Sequence, residues 1–309
     1  MSPTISGTSR YLDLRALASL ANMRVAARHR TEGPYSGRYP SRQLGGAGEF
    51  VDYREYSDGE DLRRLDWKVL GRSGRAYVRL YQDETNLCCT FALDCSGSMR
   101  FGGPDKTAAN PAARMSKLDY AKYLTTALSY LIAHGQDQVA LAVLGERLVE
   151  HLAPGATTAH VARLHEAVEQ LMTAPARRMA PALRELFEQT TRRGVLIMES
   201  DFLMDDLDET FAAIRLFRRR GWQVQIWHLV HPDEERLPEG VAFRFEGLEG
   251  DGNVACSPAE IRVEYEKRFA AHCAMVRSQA LAGDCDYQML STAVPYLQVI
   301  RGFLVSRQG

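Results

Sequence analysis

No C-x-x-C pair occurs among the six cysteines, Cys88, Cys89, Cys95, Cys256, Cys273 and Cys285. That removes the thiol spacing of a structural zinc site and of a redox dithiol. Six reduced thiols, mostly packed as small apolar groups, are the expected state. No run approaches the ~20 apolar residues that a membrane span requires. The first residues, Met1-Ser2-Pro3-Thr4, lack the basic segment followed by an apolar one that marks a secretory signal. These absences lead to the expectation of a cytoplasmic protein. Net charge is also scarce: 38 Lys and Arg stand against 39 Asp and Glu, leaving −1. So balanced a chain has no global field to recruit nucleic acid or anionic lipid. The basic groups Arg24/Arg28/Arg30 and Arg218/Arg219/Arg220 read as solvated helix faces. There is no G-x-x-x-x-G-K-[ST] loop to cradle a nucleotide phosphate. The nucleophile elbow G-x-S-x-G is missing too, because Asp94 and Ser98 stand where its glycines belong. His228 and His231 read as a solvent-facing pair at a strand end, with no third group to orient a base.

What is present is enough chain, 309 residues, for one large domain or two modest ones. Leu12, Leu14, Leu17, Leu20, Ala21 and Val25 recur with a helical period, predicting a helix over 12–29. Glycine and proline in 31–40 predict an extended connection. Residues 49–84 change character: strand propensity at 50–56, turn chemistry at 57–61, a short helix at 62–70, and an alternating strand at 76–81. From Asn86 onward, strands and helices alternate. Strands are expected at 87–94, 138–145, 147–152, 194–200, 222–229 and 286–291. Helices are expected at 115–134, 158–172, 179–193, 207–220, 257–282 and 295–306. Such alternation predicts an α/β fold with a doubly wound, mostly parallel sheet. Residues 233–256 interrupt it with a hairpin, expected to join the 49–84 strands in a small β subdomain. The organisation read from sequence is therefore 1–48, 49–85 and 86–309.

Two strands end in oxygen donors. The uncharged run Leu87–Leu93 stops at Asp94-Cys95-Ser96-Gly97-Ser98, and Gly194–Met198 stops at Glu199-Ser200-Asp201. In the doubly wound order 3-2-1-4-5-6, strands 1 and 4 are neighbours at the switch point, where ligands bind. Their carboxyl ends then lie about 5 Å apart. Asp94, Ser96, Ser98 and Asp201 can converge on one hard divalent cation, Mg²⁺ or alternatively Mn²⁺ or Ca²⁺. The same Asp-x-Ser-x-Ser also suits a helix N-cap after a strand. Cys95, without a basic neighbour, reads as packing. The polar residues 102–114 would form a loop on the rim of the crevice.

Asp94-Cys95-Ser96-Gly97-Ser98 resembles the metal-ion-dependent adhesion site of von Willebrand factor A domains. The stretch Glu49-Phe50-Val51-Asp52-Tyr53-Arg54-Glu55-Tyr56-Ser57-Asp58-Gly59-Glu60-Asp61-Leu62-Arg63-Arg64-Leu65-Asp66-Trp67 resembles the signature of the domain-of-unknown-function family fifty-eight. Those are bacterial von Willebrand factor A-like proteins, usually encoded beside MoxR-type AAA+ ATPases. Asp286-Tyr287-Gln288-Met289-Leu290-Ser291-Thr292 is similar to that family's end. The resemblance implies Asp94, Ser96 and Ser98 as ligands from the first loop and Asp201 as a later, often water-mediated one. It also implies a Thr from an intermediate loop. Pro175–Leu183 matches that loop and carries Arg177 and Arg178 instead, while Thr157, Thr158 and Thr173 lie outside the motif. A guanidinium facing the site would repel a cation.

The resemblance thus implies a non-enzymatic, protein-binding adaptor or assembly factor. Its partner would be a MoxR-type ATPase or a client of one, and no catalytic residue is assigned. Two other classes stay open. In a Mg²⁺-dependent phosphatase Asp94 would attack phosphorus and Asp201 would help hold the ion, although no acid follows two residues later. In a structural scaffold the loop would be metal-free. The charges of 49–67 suit either a partner surface or a salt-bridged clamp anchored by Trp67.

Overall fold

The computed structural model describes residues 9–20, 39–45, 49–56, 65–85, 87–102, 115–191, 193–237, 243–250 and 252–306. It divides into two units, Ala27–Leu87 and the remainder, with residues 1–26 belonging to the larger one. Of the helix predicted over 12–29, the described part comprises α1 (Leu14–Leu17) and a 3-10 turn (Ala18–Leu20). Asp13 caps α1 by accepting from Arg15 N and Ala16 N. Residues 21–38, including Arg24, Arg28 and Arg30, lie outside the described residues.

The smaller unit is an antiparallel sheet of β1 (Tyr39–Gly45), β2 (Glu49–Glu55) and β3 (Tyr77–Thr85) in the order β1-β3-β2. A bulge shifts the β2 register between Phe50 and Asp52. Helix α2 (Trp67–Ser73) starts where Asp66 Oδ1 accepts from Lys68 N and Val69 N, and stops at Gly74 with φ +66°. That left-handed turn favours glycine. One charge of the signature segment is thereby a helix cap. Trp67, read as an apolar anchor, is 62% exposed. Residues 57–64 lie outside the described residues.

The larger unit is built on six strands: β4 (Cys88–Asp94), β5 (Gln138–Leu144), β6 (Leu148–Gly155), β7 (Val195–Ser200), β8 (Gln223–Val230) and β11 (Asp286–Ser291). Their order is β6-β5-β4-β7-β8-β11, which is the 3-2-1-4-5-6 arrangement. All neighbours pair parallel except β5 and β6. The connection from Leu144 to Leu148 is far too short for a crossover, so β6 must return antiparallel. Strands β4 and β7 are buried along their whole length, as the uncharged runs Cys88–Leu93 and Val195–Met198 require.

The sheet's faces are sorted by period two. Ala92, Leu196, Met198, Val224 and Ile226 form a core with α5 (Ala180–Gln189), α6 (Leu207–Arg219) and α8 (Pro258–Ala282) through Leu183, Leu186, Phe211, Ile214, Phe217, Val276 and Ala280. The alternate residue Glu199 faces α3 (Lys117–His134), accepting a bond from Thr125 Oγ1 at 3.0 Å. α4 (Thr158–Gln170) and α9 (Tyr296–Ser306) pack against α3. The short helix α7 (Pro232–Glu235) follows β8.

The interrupting hairpin is β9 (Phe243–Glu246) paired with β10 (Asn253–Cys256). These two strands form a sheet of their own, so the β subdomain expected to join them to the 49–84 strands is not made by strand pairing.

Candidate functional site

Parallel pairing of β4 with β7, in the register Leu93 to Glu199, brings Asp94 and Asp201 to one edge of the sheet. Asp94 is the last residue of β4 and is buried. Its Oδ1 accepts from Ser96 N at 2.7 Å, and its Oδ2 accepts from Ser200 Oγ at 2.6 Å. Beyond it the chain stays tied to its neighbours: Cys95 N donates to Leu144 O, and Ala174 N donates to Cys95 O. A 3-10 turn (Gly97–Arg100) then places Ser98 Oγ 3.0 Å from Ser96 Oγ. The Ser98 side chain also favours the charged form of the Asp201 carboxyl. All four residues singled out from sequence therefore lie at one crevice. Phe202 makes this possible by turning the chain with φ +56°, a strained value for a residue with a Cβ. Its amide donates to Ser200 Oγ at 2.9 Å, and its ring stacks on Phe211.

Lys117 was not foreseen. Its ammonium is fully buried, donating to Asp201 Oδ2 at 2.6 Å and to Glu234 Oε1. Burial alone would lower its pKa, but the two carboxylates outweigh burial and raise it. Burial likewise opposes the charge of Asp201, yet the Lys117 ammonium and the bonds around it hold that carboxyl below its usual range. Asp94 behaves oppositely. Burial first, and then the charge of Asp201, push it up to about 7, against the bonds from Ser200 and Ser96. A cation in the first turn of α3 opposes the helix dipole. That inconsistency was the one local sign of Lys117's role.

Glu249 was missed as well. It stands in the turn between β9 and β10, and its carboxylate accepts from Ser98 N at 2.6 Å and Ala176 N at 2.7 Å. A Cβ on Gly97 would lie 2.2 Å from Leu248 O, so only glycine lets this turn rest on the Asp94 loop.

The segment expected to supply a Thr is fixed by Asp206, whose carboxylate accepts from Met179 N and Ala180 N. Arg178 reaches solvent, 3.9 Å from Asp206. Its stem lines a small cleft with Asp94, Ser96, Gly145, Ala176, Met179, Leu203 and Met204. Thr157 caps α4 instead. The Cys95 thiol is pushed up to about 12 by burial and then by Asp94, in keeping with a packing role. His228 and His231 are not solvent-facing as read; both are buried. His228 Nδ1 pairs with Tyr287 OH at 2.9 Å, and His231 Nδ1 caps α7 by accepting from Asp233 N. A cavity of about 290 Å³ lined by Cys88, Thr90, Gln138, His151 and Trp222 lies at the opposite end of β4. The rim loop expected at 102–114 falls, from 103 on, outside the described residues.

The family model described as "Protein of unknown function DUF58" matches residues 52–275. The chain belongs to this family. Among similar proteins, the uncharacterized protein Rv1480 of Mycobacterium tuberculosis is 24% identical over 194 residues, 62% of this chain and 58% of its own length. The uncharacterized protein Mb1516 of Mycobacterium bovis matches to the same extent. This DUF58 chain thus spans 58% of the length of the curated relatives it matches. Of the solved structures, conserved hypothetical protein BatB from Bacteroides thetaiotaomicron aligns over 72% of this chain and 99% of its own, with 15% identity and a TM-score of 0.47. The VWA domain of SpRpn10 aligns over 73% and 96%, with 9% identity and a TM-score of 0.39. Among the described residues, no helix is long and apolar enough to cross a membrane.

Proposed function

We propose that this DUF58 chain is a non-enzymatic protein-docking module whose docking position is the crevice of Asp94, Ser96, Ser98 and Asp201. The reading extends to a Mg²⁺-class cation held there. The observation that carries it is the serine pair. Cis oxygens around an octahedral ion with bonds of about 2.1 Å are about 3.0 Å apart. Ser96 Oγ and Ser98 Oγ have that spacing. Charge supports the same fit. The Lys117 ammonium is paired with Asp201 and Glu234, while Asp94 and Glu249 are held by hydroxyl and amide donors. Among the described residues no three His, Cys, Asp or Glu side chains cluster in ligating positions. Such an ion would rely on neutral hydroxyls and retained water, and would supply an open position for a carboxylate from another macromolecule. Ser200 and the Ser96 amide orient Asp94, while Lys117 keeps Asp201 ionised. The same engagement of both Asp94 oxygens speaks against its use as a phosphoryl nucleophile.

From the family resemblance, the partner proposed is a MoxR-type AAA+ ATPase or one of its clients. Calorimetric titration with Mg²⁺ and Mn²⁺ tests the ion. Binding is expected in the wild type and weakened at least about tenfold, 1.4 kcal/mol, by Asp94→Asn or Ser98→Ala. A wild type that gives no heat ends the metal part of the reading. Turnover of a phosphomonoester, lost with Asp94→Asn, would replace docking by catalysis.

A further inference from the structure

Glu249 enters the crevice from a hairpin that is otherwise lightly attached. Among the described residues β9 and β10 pair only with each other, and their residues are mostly exposed. Gly250 and Gly252 carry φ +83° and +82°, so the turn has its shape without help from neighbours. Yet its carboxylate is bound in bidentate fashion by two main-chain N–H groups from separate segments, Ser98 after β4 and Ala176 after α4. Bonds from amides to a carboxylate are about twice as strong as neutral ones. The Ser98 amide belongs to the same residue whose hydroxyl lies 3.0 Å from Ser96 Oγ. A carboxylate therefore already sits at the docking position, presented by the chain itself.

We propose that the turn between β9 and β10 is a built-in occupant of that position. A partner's acidic side chain takes the Ser98 and Ala176 amides when the turn lifts away. The proposal rests on the crevice being the docking surface. It also fixes the chemistry of the partner segment: a glutamate between leucine and glycine, after the pattern Gly247-Leu248-Glu249-Gly250. A tethered carboxylate competes at an effective concentration of about millimolar or more. An outside carboxylate must exceed that advantage or be helped by contacts that pull the hairpin off. Elements held by few polar contacts and little apolar burial open at low free energy.

The test uses the full chain and the peptide acetyl-Gly-Leu-Glu-Gly-amide, followed through the NMR shifts of the Ser98 and Ala176 amides, with and without Mg²⁺. Glu249→Ala is expected to bind the peptide at least about tenfold more tightly than the wild type. The Gln version of the peptide is expected to bind neither. Gly97→Ala, whose Cβ would stand 2.2 Å from Leu248 O, is expected to displace the turn and to exclude the peptide as well, so that it binds the peptide no better than the wild type. Hydrogen exchange of β9 and β10 should quicken in both variants. Equal binding by wild type and Glu249→Ala overturns the proposal, as does no binding by either. Calorimetry with Mg²⁺ alone separates the two readings. Peptide binding without any Mg²⁺ binding supports the occupant and removes the metal. Mg²⁺ binding without peptide binding removes the occupant and keeps the metal.

Discussion

At the scale of single residues, Lys117 decides how much charge the crevice carries. Its removal leaves Asp201 and Glu234 buried without a counter-ion, and breaking a buried pair this way costs about 3–5 kcal/mol. Lys117→Met is expected to lower the unfolding free energy by that amount at pH 7, read as a fall in the urea midpoint, and an unchanged midpoint would mean the ammonium is not inside. His165 sets a pH dependence. Burial lowers its pKa from 6.5 to about 4, while its Nε2 pairs with Ser129 Oγ. The unfolded chain then binds a proton that the native state refuses. Stability is complete above pH 6.5 and falls between 6.5 and 4, by about 1.4 kcal/mol per pH unit. Urea midpoints from pH 7.5 to 4.5 should show this slope, and His165→Gln should flatten it by one proton's worth. Glu199 shifts the other way, well above its usual value through burial. Its contribution is full below pH 4.5 and shrinks as pH rises, so Glu199→Gln should gain on the wild type at alkaline pH. Asp94, Ser96 and Ser98 were readable because they stand at alternate positions in one short loop. Lys117 and Glu249 were not, because their partners lie 84 and 151 residues away. No local pattern encodes such distances.

At the scale of elements, the strands and helices from β4 onward follow their sequence patterns closely. Period two and period 3.6 are strong signals in segments buried on one or both faces. The hairpin was visible as a hairpin, but its neighbour was not. Glycine-rich turn chemistry says that the chain reverses and nothing about what the turn rests on. The loss of the Thr in 175–183 is accompanied by a different device, since Asp206 ties the start of α5 by its amides. Asp206→Ala is expected to cost about 1–2 kcal/mol, as for other capping side chains, and to loosen the Ala176 amide. Melting curves measure the first effect and hydrogen exchange the second. In α6, Phe217 packs edge-on against Trp222 and Phe187 in the core. Phe217→Ala should cost about 3–5 kcal/mol through the cavity it leaves.

At the scale of the molecule, strand order was legible from the alternation of elements together with the doubly wound rule. The short link between β5 and β6 explains the single antiparallel edge. In the small antiparallel unit β2, β3 and a helix were legible, whereas β1 (Tyr39–Gly45) was not, and the turn expected at 57–61 lies outside the described residues. Ligand binding to the native state alone raises stability of the whole cooperative fold. Mg²⁺ at a hundredfold over its dissociation constant should therefore add about 2.7 kcal/mol. A rise in melting temperature seen in the wild type and absent in Asp94→Asn would match this expectation.

The seat that receives Glu249 is made of peptide N–H groups, not of side chains. Alanine scanning across the crevice would pass over it without a trace, because every alanine still carries the same backbone. Changing an amide to an ester at Ser98 or Ala176 removes one donor and reveals it. Sequence drift among relatives could alter the acid that arrives, but the receptor for that acid is inherited with the shape of the main chain.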